Sequence, residues 1–344
     1  MKIALDAQLA VGTATGIGEY ANGLVAALQA EGLDVVPLFE PKLDPWRFDR
    51  RVYWDQVLLP QRARACGADL LHCASGTVPV TATMPVVATV HDVAWLRVQE
   101  HARPYARYYF GRFATDRYRR LAAIAVDSAF SRSELLEMVD RLSPERVRVV
   151  YPGVAADFSA LERRGGDGRT ILVVGTVERR KNLELIVRCL PYLQNARLIS
   201  VGPHTSYRDE CVAIARELGV EDRIEFCGYV DRERLLQLYA TCAVVAMPSR
   251  YEGFGYGVAQ ALCAGVPCVS SDCSSLPEIV QNDAPVLPID RVQPWVEALD
   301  AALRGEADSR ARAVRSGAVE RFSWKRSAKA MIETYELALA ASQR

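Results

Sequence analysis

Short apolar segments rich in β-branched residues alternate with segments of helical periodicity along the whole chain. In the first half, this pattern predicts strands at 2–7, 35–39, 69–72, 86–90, 122–126 and 146–150. It also predicts helices at 18–29, 56–65, 103–119 and 131–140. Such alternation is typical of a parallel sheet whose strands are connected by helices. The first half is therefore predicted to be a doubly wound α/β domain.

The alternation restarts after Asp157–Arg169, a segment whose glycines and dense charge are typical of a linker. Strands are predicted at 170–174, 196–201, 224–226, 243–247 and 267–270, with helices beginning near 181, 207, 232 and 257. We therefore predict a first domain over 1–158, a second over 159–322 and a helical segment over 323–344. Because parallel sheets bind ligands at the carboxyl ends of their strands, we expect the two domains to form a cleft there.

The composition limits the classes of function. A chain of 344 residues with 50% hydrophobic and 24% charged residues suits two globular domains. Lys+Arg and Asp+Glu both number 42, so no net positive field favours nucleic acid. The nine cysteines show no CxxC spacing, and Asp6 interrupts any signal-peptide core. We therefore expect a soluble cytoplasmic protein without a disulfide framework or a zinc cage.

Residues 248–261, with the sequence PSRYEGFGYGVAQA, follow a predicted strand and lead into a predicted helix. Glycines at such a turn let backbone N–H groups approach an anion, and the helix N-terminus favours negative charge. Glu252 can accept hydrogen bonds from hydroxyl groups. This segment predicts a site for a ligand that carries both hydroxyls and phosphate.

Residues 173–183, with the sequence VVGTVERRKNL, place three cations at the start of another predicted helix. Cations there oppose the helix dipole, so an anionic ligand such as a diphosphate would explain them. His91 ends a predicted strand, and residues 12–20 form a glycine-rich loop after the first strand. No D-x-D pair is present in the sequence to hold a divalent ion on a diphosphate, so the protein's own cations and helix N-termini are expected to neutralise it.

These segments together resemble glycosyltransferase family 4, and they occur in the order typical of that family. The resemblance is carried by the segments Gly16-Ile17-Gly18, Val90-His91-Asp92, Tyr151-Pro152-Gly153-Val154, 175–182 and 252–260. It implies a GT-B fold of two Rossmann-like domains, with the sugar nucleotide held mainly by the second. It also implies retention of anomeric configuration and a C-terminal helix, at about 323–342, that crosses back onto the first domain.

The resemblance also implies roles for individual residues. It suggests a catalytic set of His91, Arg180, Lys181 and Glu252. Glu252 would contact the donor sugar, Arg180 and Lys181 the diphosphate, and His91 the region of the reacting carbon. The implied donor-binding residues are Gly16, Gly18, Gly175, Thr176, Tyr229, Val230, Gly253, Phe254, Gly255 and Gln260.

The sequence departs from the family pattern at two of these positions. Gln260 stands where the family has a second glutamate that binds ribose, so charge-assisted hydrogen bonding is lost there. Thr176 stands where many members have arginine. No residue matching the family motifs supplies a nucleophilic carboxylate, which favours front-face substitution. No cofactor and no divalent metal are expected to be required.

The motif set is most similar to mannosyltransferases of bacterial surface-polysaccharide assembly, which implies GDP-mannose as donor; a UDP- or dTDP-sugar is the alternative. The implied acceptor is a glycan, lipid-linked in many relatives. The basic, aromatic segment 97–120 has two interpretations. It could lie on anionic lipid at the cytoplasmic face of the inner membrane, or it could pack its aromatic rings inward.

Two other classes of function remain as alternatives. Residues 16–21 fit the pattern G-x-G-x-x-A, which would indicate an NAD-dependent oxidoreductase. That motif should follow its strand at once, yet residues 9–15 intervene. A sugar-nucleotide-binding protein without catalysis is the other alternative, and turnover would distinguish it.

Overall fold

The computed structural model describes residues 1–12, 16–94, 108–163 and 165–342. The chain forms two compact units, one of Met1–Gly153 with the chain from Ser323, and one of Val154–Phe322. We call them the first and the second unit. At the point where the chain enters and leaves the second unit, the Val154 amide donates to the Phe322 carbonyl at 2.8 Å.

The first unit contains a parallel sheet with the strand order β2-β1-β3-β4-β5-β6. Its strands are β1 (Lys2–Asp6), β2 (Asp34–Leu38), β3 (Leu70–Cys73), β4 (Val86–Val90), β5 (Ala123–Val126) and β6 (Val147–Val149). Its helices are α1 (Gly16–Ala30), α2 (Phe48–Tyr53), α3 (Leu59–Ala65), α4 (Ala114–Tyr118), α5 (Ala129–Met138) and the C-terminal helix (Trp324–Ser342). The prediction of a doubly wound α/β fold is confirmed for this unit.

The second unit contains another parallel sheet, with the strand order β12-β11-β10-β7-β8-β9. Its strands are β7 (Thr170–Val174), β8 (Arg197–Val201), β9 (Ile224–Gly228), β10 (Val244–Met247), β11 (Cys268–Ser271) and β12 (Val286–Leu287). Its helices are α6 (Ala156–Ser159), α7 (Leu183–Cys189), α8 (Tyr207–Glu217), α9 (Arg232–Thr241), α10 (Tyr256–Ala264), α11 (Leu276–Val280), α12 (Val292–Leu303) and α13 (Asp308–Arg321).

The segment 157–169, interpreted as a linker from its composition, is packed into the second unit. Asp157 binds Arg232 at 2.7 Å, and the buried Arg163 side chain donates to the Cys242 carbonyl at 2.7 Å. Its charges are therefore used in ion pairs and in capping α9. This packing places the division between the units at 153/154, whereas the sequence predicted it at 158/159.

Two predicted helices of the first unit differ from the structure. The helix predicted at 56–65 begins earlier, at Phe48, and passes through a π-helical turn at Trp54–Leu58. Of the helix predicted at 103–119, the structure describes a π-helical turn at Tyr108–Phe113 and then α4. The rest of that prediction, and residues 97–107 of the segment 97–120 considered for membrane contact, lie outside the described residues. In the described part of the chain, no helix is both long enough and apolar enough to span a bilayer.

The C-terminal helix packs on the first unit through close aromatic contacts. A Cβ added at Gly23 would lie 2.2 Å from the Trp324 ring, and one added at Gly153 would lie 2.4 Å from it. The buried Tyr335 hydroxyl lies 2.7 Å from Nδ1 of His72, a residue of β3. Burial, with a smaller effect from His91, lowers the pKa of His72 to about 3, so this ring is neutral at pH 7.

We expect Tyr335→Phe to lower the free energy of unfolding by about 1–3 kcal/mol, because the buried His72 nitrogen loses its partner. The measurement is a urea titration followed by circular dichroism, with Tyr53→Phe, an exposed tyrosine of the same unit, as the control. Equal unfolding curves for the two variants would show that this hydrogen bond does not hold the C-terminal helix.

Candidate active site

Two loops of the second unit meet at the carboxyl ends of neighbouring strands. The loop 175–182 follows β7, and the loop 248–255 follows β10, which pairs in parallel with β7. The Arg250 amide donates to the Arg180 carbonyl at 2.7 Å, and Asn182 donates through Nδ2 to the Pro248 carbonyl at 3.1 Å. The tertiary structure therefore brings together the two motifs that the sequence places about 70 residues apart.

The carboxylate of Glu252 lies between two cations of the other loop. Lys181 Nζ lies 2.5 Å from Oε1 of Glu252, and Arg180 Nη1 lies 3.3 Å from Oε2. Arg180 also donates through Nη2 to Glu178 at 2.7 Å. Burial alone would raise the pKa of Glu252, but Lys181 and Arg180 outweigh it and lower that pKa, so the carboxylate is ionised at neutral pH.

Several serine hydroxyls hold Glu252 in place. Ser249 donates to Oε1 of Glu252 at 2.7 Å, and Ser275 donates to the Glu252 carbonyl at 2.9 Å. The Glu252 amide donates to Oγ of Ser274 at 2.8 Å. Sequence reasoning did not select these serines. The serine-rich run 270–275 begins at the end of β11, the neighbour of β10, and continues into the loop, and that signal could have found two of them.

Glycines allow the two loops to adopt their observed shapes. Gly255 has a φ of +94°, and a Cβ there would lie 2.5 Å from Leu276 Cδ2. Gly175 has a φ of +137°, and a Cβ there would lie 3.2 Å from Lys181 Cε. Both positions therefore need glycine for the backbone and its packing, independently of any ligand.

The remaining predicted donor-binding residues of the second unit have different environments. Phe254 is buried, with its ring against Phe322 at a centroid distance of 5.5 Å. Gln260 is also buried, and its Oε1 accepts a hydrogen bond from Tyr239 at 3.0 Å. The others lie on loops, where Tyr229 is exposed, Thr176 and Val230 are half-buried, and Gly253 is buried. Their predicted roles in donor binding stay predictions.

His91 of the first unit has a carboxylate partner that sequence reasoning missed. His91 follows β4, and Asp127 follows β5, the strand paired with β4. The His91 Nδ1 donates to Asp127 Oδ2 at 2.7 Å, and Nε2 donates to the Ala74 carbonyl at 2.8 Å. An acid directly after the strand next to β4 was the signal in the sequence that could have revealed it.

Because the Ala74 carbonyl can only accept, Nε2 of His91 carries a proton, and Nδ1 carries a second one when Asp127 is ionised; burial raises the pKa of Asp127. Burial alone would lower the pKa of His91, but Asp127 outweighs it and raises that pKa. Asp127 therefore favours the protonated form of the His91 imidazole.

Gly16 and Gly18 lie in the first turn of α1, which begins two residues before the helix predicted at 18–29. A Cβ at Gly18 would lie 2.6 Å from the Leu9 carbonyl oxygen, so this glycine allows α1 to pack on the turn Gln8–Ala10. Residues 13–15 of the predicted glycine loop lie outside the described residues. Within the described ranges, no group of three or more His, Cys, Asp or Glu side chains is placed to hold a metal ion.

Comparison with protein families finds a match for most of the chain. Residues 14–158 match the family "Glycosyltransferase Family 4", and residues 157–319 match "Glycosyl transferases group 1".

The curated relatives include D-inositol 3-phosphate glycosyltransferases of Mycobacteroides abscessus and Mycobacterium leprae. The protein of Mycobacteroides abscessus is 30% identical over 279 residues, which cover 75% of this chain and 61% of the relative. That of Mycobacterium leprae is 27% identical over 280 residues, which cover 76% of this chain and 64% of the relative. The chain thus spans less than two thirds of the length of these relatives.

Solved structures share the fold at low sequence identity. Anabaena HepE in complex with UDP and glucose gives a TM-score of 0.74 at 18% identity, covering 98% of this chain and 99% of that one. Sucrose-phosphate synthase from Thermosynechococcus elongatus gives 0.72 at 20% identity, covering 99% of both chains. WaaG, a glycosyltransferase involved in lipopolysaccharide biosynthesis, gives 0.71 at 16% identity, covering 95% of this chain and 98% of that one.

Proposed function

The chain belongs to the GT-B glycosyltransferases of the family 4 and group 1 type, and from that membership we propose that it transfers a hexosyl group from a sugar nucleotide to an acceptor hydroxyl. The observation that supports this most directly is the cluster of Arg180, Lys181 and Glu252 in the second unit. It combines cations suited to a diphosphate with a carboxylate suited to sugar hydroxyls.

Donor binding exchanges the partners within this cluster. In the structure, Arg180 and Lys181 are paired with Glu178 and Glu252. A diphosphate carries more negative charge than either carboxylate, so it competes for the same guanidinium and ammonium groups. Glu252 then has an oxygen available to accept hydrogen bonds from the donor sugar.

The proposed reaction is a retaining front-face substitution. The bond from the anomeric carbon to the diphosphate oxygen breaks, and the acceptor oxygen bonds to that carbon from the same side. The acceptor proton passes to the departing phosphate. Arg180 and Lys181 stabilise the negative charge that develops on the diphosphate. The sugar nucleotide is a substrate, and no cofactor or divalent metal is required.

The proposed donor is GDP-mannose, with a UDP- or dTDP-sugar as the alternative. HepE, which has been solved with UDP and with UDP-glucose, favours the UDP alternative. The proposed acceptor is a glycan or lipid-linked oligosaccharide at the cytoplasmic face of the inner membrane, reached by peripheral contact with anionic lipid. The curated relatives, named for D-inositol 3-phosphate, make a phosphorylated inositol the alternative acceptor.

The test is a thermal-shift screen against GDP, UDP, dTDP, ADP and NAD in the presence of EDTA. A nucleotide at 100 times its dissociation constant adds about 2.7 kcal/mol of stability, which raises the melting temperature measurably. We expect a shift with GDP that persists in the chelator. A shift with UDP or dTDP alone would show that the donor is a sugar linked to that nucleotide instead of GDP-mannose. A shift with NAD alone would contradict the proposed transferase activity. Turnover of the sugar nucleotide then separates an enzyme from a binding protein.

A further inference from the structure

Ser274, in the loop between β11 and α11, has an unfavourable backbone conformation. Its φ is +57°, in the left-handed region that glycine adopts freely and other L-amino acids adopt at a cost in free energy. Asparagine and aspartate tolerate this region better than serine does. Glycine would therefore be the favoured residue for the backbone alone, and the serine hydroxyl needs an explanation.

The hydroxyl of Ser274 is engaged both as an acceptor and as a donor. It accepts from the Glu252 amide at 2.8 Å and donates to the Cys273 carbonyl at 2.7 Å. The next residue, Ser275, is buried and donates to the Glu252 carbonyl at 2.9 Å. Two consecutive serines therefore hold both backbone polar groups of Glu252.

The position of the Glu252 backbone decides where its carboxylate lies. That carboxylate also contacts Lys181, Arg180 and Ser249, so a small backbone shift would change the distances to both cations. Binding groups in enzymes must be held to within about 0.5 Å of their productive geometry. A glycine at 274 would remove the backbone strain and, with it, the hydroxyl that fixes the Glu252 amide.

We propose that Ser274 is a positioning residue for Glu252, retained in a strained conformation because its hydroxyl holds the Glu252 amide. The proposal rests on the proposed function, in which Glu252 binds the donor sugar. Where backbone strain persists at a functional site, a substitution that relieves the strain is expected to raise stability and to lower activity.

The test compares Ser274→Ala with Ser274→Gly. Both variants lack the hydroxyl, but only alanine keeps a Cβ in the left-handed region. We expect the glycine variant to melt at a higher temperature than the alanine variant, while both lose about fivefold in kcat/KM for GDP-mannose. If the role of Ser274 were merely structural, activity would follow stability and the two variants would differ in both.

The activity measured is hydrolysis of the donor, in which water accepts the sugar and no other acceptor is needed. UDP-glucose replaces GDP-mannose if the wild type binds UDP. Asn195→Gly is the control for the backbone, because Asn195 is exposed with a φ of 59°. It should leave kcat/KM unchanged. Wild-type kcat/KM in both Ser274 variants would overturn the positioning role alone. A wild type that neither binds nor hydrolyses any sugar nucleotide would overturn the proposed function, and this proposal with it.

Discussion

Replacing Lys181 with alanine is expected to lower the rate of transfer by about 10²–10³-fold, which corresponds to about 2.7–4 kcal/mol of transition-state free energy. Lys181 is the cation nearest to Glu252, at 2.5 Å, and it lies in the loop that follows β7. Its ammonium group stabilises the diphosphate as charge builds up on the leaving oxygen. Without it, Arg180 alone remains of the proposed pair of diphosphate ligands.

The measurement is kcat for the sugar nucleotide at saturating donor, with the melting temperature as a check on folding. Arg216→Ala is a matched control, since this arginine of the second unit is exposed on α8 and pairs with Glu221 on the surface. It should change kcat little. If Lys181→Ala kept more than half of the wild-type kcat, the leaving-group role of Lys181 would be wrong.

Replacing Asp127 with asparagine is expected to lower the free energy of unfolding by about 3–5 kcal/mol at acidic pH, because it leaves the largely buried His91 charge, 18% exposed, without its anion. Asp127 raises the pKa of His91 in the folded state above its unfolded value of 6.5. The stability gained from this proton is therefore fully present below pH 6.5, and it is lost as the pH rises through the folded pKa.

The difference in unfolding free energy between the wild type and Asp127→Asn should therefore be smaller at pH 8.5 than at pH 5.5. Urea titrations at the two pH values would measure it. Asp116→Asn is the control, since this carboxylate of the same unit is exposed and pairs with Arg119 on the surface. We expect it to change the unfolding free energy by less than about 1 kcal/mol at either pH. A deficit for Asp127→Asn that is independent of pH would mean that His91 is not charged in the fold.

The sequence predicted the strands and the class of fold well because their signals are local. Strand β4, at Val86–Val90, and strand β7, at Thr170–Val174, were predicted with the bounds that the structure has. Buried parallel strands are continuous apolar runs, which stand out between polar helical segments. Strand β12 and the helices α11–α13 were not predicted. Strand β12 has only two residues, which is too short for a pattern, and α13 has only two buried residues, Ala311 and Ala318.

The sequence by itself also singled out Glu252, Arg180, Lys181 and His91, because all four lie in segments that follow strands, where a parallel sheet binds its ligands. Only the tertiary structure decided their partners. Ion pairs and hydrogen bonds between residues far apart in the chain depend on strand order, which no local pattern contains. Strand pairing brings Asp127 to His91, and the loop after β11 brings Ser274 to Glu252. Packing also decided that Gly16 lies in a helix and that residues 154–158 belong to the second unit, since contacts and not composition fix both.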